Sequence, residues 1–236
     1  MNKKMILAVF TGLTVFAAIF AARLLVSHYF SQLPAFPLHL MFEVLLAVIP
    51  MAVAIRIFNM PVRTFSFRYG FVRKVAVRYS VIGLIMGMCA TIFMLTLHVP
   101  PLPLFKQLQP PQLFITLLFA SISEEILTRG LVQRIVTDHS PVITIKGTGI
   151  SGGVLAGATV FSLIHFSIYI VGGSYITCIV IMVATFLLGI VAGIARERAN
   201  LGAAILTHLS FNIGGIAAAI LINIGSMLIT GHLING

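Results

Sequence analysis

Apolar stretches of about 20 residues, separated by short polar breaks, recur along nearly the full length of the chain. A helix of that length crosses a hydrocarbon core of ~30 Å, and it satisfies its own backbone N–H and C=O groups where no water can. The pattern predicts spans at roughly 5–26, 38–57, 79–98, 112–136, 149–171, 174–195 and 200–222, with 223–234 either the end of the last span or a short additional segment. The expected fold is all-α: a polytopic transmembrane helical bundle of about seven to eight spans around a polar intramembrane cavity. No repeat, low-complexity tract or linker interrupts the pattern, so 1–236 reads as a single membrane-embedded domain. The opening "MNKKMILAVFTGLTVFAAIFAARLLV" has the outline of a cleaved signal, but its apolar run from Met5 to Ala22 exceeds the usual core of about 7–15 residues. A retained first span is expected.

Composition strengthens the membrane reading. The chain is 59% hydrophobic and 8% charged, against roughly 25% charged residues in an ordinary soluble domain. The formal charge of +10 comes from 15 basic and only 5 acidic residues. Placed on the predicted spans, Lys3, Lys4, Arg56, Arg63, Arg68, Arg73, Lys74, Arg78, Arg134, Lys146, Arg196 and Arg198 all fall on one side. Only Arg23 and Lys106 fall on the other, which also carries the proline-rich loop "VPPLPLFKQLQPP". That asymmetry makes the basic side, and the N-terminus with it, cytoplasmic. It also explains the excess of cations without a nucleic-acid partner. The small size and short loops suggest a prokaryotic plasma membrane protein.

Within 56–78, six basic residues and no acidic one are interleaved with Phe65, Phe67, Tyr69 and Phe71. The segment reads either as an interfacial strip that attracts anionic lipid or as a solvated loop that fixes topology. Cys89 and Cys178 lie in apolar runs and read as small buried side chains.

Against this background the informative residues are polar ones inside spans, because an ionisable group in hydrocarbon must be paired or line a polar cavity. They are Glu124, Glu125 and Arg129 in the fourth span, His165 in the fifth, and His208 with Asn212 in the last. Glu43 stands alone in "LMFEVLLAV", with no role beyond a hydrogen bond to another helix. Glu125 and Arg129 are spaced for a helical ion pair. Glu124 is turned about 100° away and shares its face with Ser121 and Thr128. The plain reading of Glu125 is structural, whereas Glu124 suits a carboxylate that takes a proton and later returns it. A lone membrane histidine is ordinarily a hydrogen bonder between helices. Three spans each contributing polar groups at helical spacing point instead to one shared centre.

These motifs, "EEILTR" (124–129), "FSLIH" (161–165) and "HLSFN" (208–212), follow the pattern E-E-x-x-x-R, F-x-x-x-H, H-x-x-x-N on successive membrane segments. The sequence resembles the CPBP family of intramembrane proteases, the CAAX protease and bacteriocin-processing group. The resemblance covers about 112–222, a catalytic core, and leaves the first three spans unmatched. It implies an endopeptidase that hydrolyses a membrane-associated protein or peptide, with Glu124 and His165 activating water, His208 and Asn212 forming an oxyanion hole, and Glu125 and Arg129 supporting. No metal or other cofactor is favoured. A zinc form remains open, with Glu124, His165 and His208 as a three-ligand set, although the H-E-x-x-H helix signature is missing and Asn212 is better suited to donate to an oxyanion. The rival classes are a proton-coupled transporter, whose paired repeats are not seen, and a non-catalytic member that binds a membrane partner. Nothing in the residues selects among prenylated C-terminal peptides, bacteriocin leaders and signalling regulators as substrates.

Overall fold

The computed structural model describes residues 3–30, 32–67, 70–99, 108–136, 141–145 and 148–230. The predicted Arg68, Tyr69, Lys106 and Lys146, and most of the proline-rich loop, lie outside them. Among the described residues seven helices build the bundle: α1 (Lys3–Tyr29), α2 (Ala35–Arg56), α3 (Arg73–Thr96), α4 (Pro110–Glu125), α5 (Gly152–Ile164), α6 (Tyr175–Arg198) and α7 (Leu201–Thr230). Six of them are long and apolar enough to cross a membrane, with α5 counted through to Ile170. The seventh, α4, continues without a break as a π-helical segment, Ile126–Val132, and a closing turn, Gln133–Ile135.

Local chemistry sets the helix starts. Prolines occupy the first positions of α4, where their missing N–H is not needed, and Gln109 and Gln112 form a reciprocal capping box across them. Ser151 and Ser174 cap α5 and α6, accepting from Val154 N–H at 3.1 Å and Thr177 N–H at 3.0 Å. The Asn200 side chain does the same for α7, accepting from Ala203 N–H at 3.0 Å.

Two features depart from the periodicity. The span expected over 149–171 stops at Ile164, and the chain turns through His165 into a single further turn, Ser167–Ile170. An antiparallel pair of short strands, β1 (Pro141–Ile145) and β2 (Thr148–Ser151), precedes α5. The run "PVITI" is rich in β-branched residues and too short to signal itself inside an apolar chain. Residues 223–230 simply extend α7, so they form the end of the last span.

The bundle carries its polar groups inside and its large apolar side chains outside. Phe10, at 69% exposure, is one of many outward-facing hydrophobics, whereas Glu125 and Arg129 are fully buried. That inversion is expected of a molecule solvated by lipid. The tightest helix pair, α3 against α7, uses Gly83 and Gly87, where an added Cβ would collide with the backbone carbonyls of Thr207 and Phe211. Two expectations are corrected. Cys89 is exposed on the outer face of α3, while Cys178 is buried as expected. Phe65 does not lie at the interface: it is buried in the core, its ring edge against Gly130, while Phe67 and Phe71 stay exposed.

Candidate active site

The site is assembled from α4, α5 and α7, with α2 and α6 behind it. Glu124 and Glu125 are the last two residues of α4 before the helix widens into its π segment. The Gln133 N–H closes that segment on the carbonyl of Thr128, five residues back. A π register leaves carbonyls without their usual partners, and such segments often mark functional positions. Arg196 of α6 reaches in and donates from Nε to the Arg129 carbonyl at 3.0 Å. Thr128 folds its hydroxyl back to donate to the Glu124 carbonyl at 2.6 Å.

Arg129 donates from Nε to Glu125 Oε2 at 3.1 Å, and both side chains are fully buried. The guanidinium carbon sits 5.7 Å from the centre of the Phe161 ring, a cation–π placement. Its Nη1 occupies space that a side chain at Gly157 would fill, and neither Nη makes a hydrogen bond. The charge is therefore held by one carboxylate and one aromatic face.

Glu125 touches the last helix as well. His208 brings Nδ1 to 3.3 Å from Glu125 Oε1 and Nε2 to 3.9 Å from Glu124 Oε2. The shorter approach is off the hydrogen-bonding direction, and both of its atoms are left without a hydrogen bond. It is a close electrostatic contact. One turn along α7, Asn212 donates from Nδ2 to Ser121 Oγ at 3.0 Å, and the Ser121 hydroxyl donates in turn to the Leu117 carbonyl at 2.8 Å. The face shared by Ser121, Glu124 and Thr128 is thus the face that meets α7.

His165 caps α5. Its Nδ1 lies 2.7 Å from the Phe161 carbonyl, which can only accept, so Nδ1 carries the proton and Nε2 presents a lone pair. The Phe161 ring packs steeply against both imidazoles, its centre 5.2 Å from that of His165 and 5.1 Å from that of His208. Among the described residues no hydrogen bond or ion pair joins His165 to Glu124. Nor do the described residues gather any three His, Cys, Asp or Glu side chains as a metal-ligand group. Glu124, His165 and His208 are therefore not drawn together as a three-ligand set among the described residues.

Sequence reasoning missed one participant. Glu43 of α2 is buried and accepts a hydrogen bond from Ser123 Oγ, and it acts electrostatically on Glu124. Three of the chain's five acidic residues, Glu43, Glu124 and Glu125, therefore converge here. An acid alone in an apolar span was the available signal; its partner Ser123, 80 positions away, was not legible. Glu124 is the least enclosed of the pair on α4, with 18% of its side chain exposed against none for Glu125. The arrangement offers an accessible carboxylate, a histidine lone pair and N–H donors from a second helix.

In comparison with known proteins, residues 106–214 match the family model described as "Type II CAAX prenyl endopeptidase Rce1-like". The matched stretch contains every motif residue from Glu124 to Asn212. No curated protein and no solved structure matches the chain.

Proposed function

We propose that the chain is a protease of the CPBP/CAAX kind that hydrolyses a peptide bond of a membrane-associated protein by water activated at Glu124, a reading supported by the match of residues 106–214 to the Rce1-like type II CAAX prenyl endopeptidase model. The observation that carries this reading is the meeting of α4 and α7, with His208 against both Glu124 and Glu125 although the motifs lie some 80 positions apart in sequence.

In this mechanism Glu124 removes a proton from water, and His165 orients that water through the lone pair of Nε2. The hydroxide adds to the scissile carbonyl carbon. The oxygen that becomes negative receives N–H bonds from His208 Nε2 and from the second amide hydrogen of Asn212, whose first is held by Ser121. Removing one such donor ordinarily lowers turnover ~10²–10³-fold. As the tetrahedral intermediate collapses, the C–N bond breaks and Glu124 returns its proton to the leaving amine. Arg129 and Glu125 position the centre from below. No step passes through a metal. A C-terminal, lipid-modified segment is the substrate class suggested by the family.

The test is cleavage of a quenched, prenylated C-terminal peptide by the purified protein in detergent. Glu124→Gln is expected to lower kcat by about 10²–10⁴-fold with an unchanged melting profile, and chelator treatment to leave wild-type turnover intact. Full activity in Glu124→Gln overturns the assignment.

A further inference from the structure

A polar cavity of about 230 Å³ opens at the end of the bundle opposite to the α4 start, and its walls include Arg63, Arg134 and Arg196. These come from three separate parts of the chain: the short 3-10 turn Val62–Phe65, the closing turn of α4, and the last turn of α6. Among the described residues no carboxylate lines it. Thr64, Ser66 and Asn200 add polar atoms to the wall. Arg134 and Arg196 are close enough to repel each other, and the neighbouring Glu197, which acts on Arg196, also accepts a hydrogen bond from Ser151. Arg196 is fixed by its bond to the Arg129 carbonyl, which leaves its Nη groups as the part of the fork free of that bond.

Three guanidinium groups brought together around a concave polar space repel one another unless an anion sits among them. Planar N–H forks match the oxygens of a phosphate particularly well, and Ala199, Asn200 and Leu201, at the start of α7, bring the positive end of its dipole to the cavity wall. We propose that this cavity binds a phosphate group, either the headgroup of an anionic phospholipid or a free phosphate.

The occupant is distinct from the peptide cleaved at the catalytic centre. Leu127 and Leu131 lie between Glu124 and Arg134 along one helix, and Leu201 and Ile205 lie between Asn200 and His208 along another. All four are buried in one apolar cluster with Phe65. That layer separates the two polar sites. A polar link crosses it, the Arg196 bond to the peptide of the same Arg129 whose side chain holds Glu125.

The experiment uses the full chain in nanodiscs and reads binding, independently of peptidase activity. One arm compares retention of phosphatidylglycerol with phosphatidylcholine by native mass spectrometry; the other measures radiolabelled inorganic phosphate bound in phosphatidylcholine-only discs. The variants are Arg63→Gln/Arg134→Gln, the charge-preserving Arg63→Lys/Arg134→Lys, and a control, Arg73→Gln/Lys74→Gln, on an exposed part of the same basic end. Where the double glutamine variant is not folded by melting and size exclusion, Arg63→Gln alone is used, since Arg63 is exposed on its turn. The expected result is a loss of about tenfold in one arm for the glutamine variants, little loss for the lysine variant, and little for the control. Loss in the lipid arm alone identifies a headgroup; loss in the phosphate arm identifies a free phosphate. Equal loss in the control, or no loss in either arm, overturns the proposal.

Discussion

Glu125 bears on the structure more heavily than its neighbour does. It is the sole hydrogen-bonding partner of the Arg129 guanidinium among the described residues, and neither group reaches water. Removing one member of a buried ion pair leaves an uncompensated charge and costs about 3–5 kcal/mol. Glu125→Gln is therefore expected to lower stability by that order in a chemical or thermal unfolding assay, and to lower activity too, since the carboxylate also faces His208 Nδ1 at 3.3 Å. Glu124 has no such duty, and its substitution should leave the unfolding curve near wild type. Identical curves for the two variants would reject this division. Asn212→Ala should lower kcat by ~10²–10³-fold with a smaller change in KM. Ser121→Ala removes the acceptor that aims the Asn212 amide, along with a bond to the Leu117 carbonyl, but leaves the amide itself in place, so a milder kcat loss is expected. A Ser121→Ala defect as large as that of Asn212→Ala would place Ser121 in direct contact with the reaction.

At the level of elements, the spacing of Glu125 and Arg129 announced their pairing, but the widening of the helix between them was invisible. A π segment differs from an α-helix by one backbone register, and no residue type encodes it. The Arg196 bond to the Arg129 carbonyl, from a helix 67 positions away, is part of what satisfies it. The end of α5 was hidden for a related reason: "FSLIHFSIYIV" is apolar throughout, and the break at His165 becomes visible only through the bond of Nδ1 to Phe161 O. Gly157 was equally silent in sequence. A methyl group there meets Arg129 Nη1, and the arginine cannot easily yield, pinned as it is by Glu125 and flanked by Phe161. Gly157→Ala is accordingly expected to destabilise the protein by ~1–3 kcal/mol through overpacking, measured by thermal unfolding in detergent. An unchanged melting temperature would show that the guanidinium has room to move.

Across the whole molecule, the distribution of cations along the predicted spans gives an expected orientation, and the structure shows which helix ends lie together. Arg63 follows α2, Arg134 ends the extension of α4, and Arg196 lies in the last turn of α6; all three line one cavity, so the even-numbered helices finish at one end of the bundle. Met5, near the start of α1, packs beside Gly152 at the start of α5, which sets the beginnings of these odd-numbered helices together. If cations prefer the cytoplasm, we expect the loop holding Arg63 to be cytoplasmic and the α3–α4 connection to lie outside. Val62 and Leu97 are exposed positions at these opposite ends and can each be replaced by cysteine in a background lacking Cys89 and Cys178. A membrane-impermeant maleimide is then expected to modify Val62→Cys only in inside-out vesicles and Leu97→Cys only in right-side-out spheroplasts. The reverse pattern would invert the molecule and turn its arginine-lined cavity away from the cytoplasmic leaflet, and labelling of both sites from one side would contradict the odd number of crossings between them.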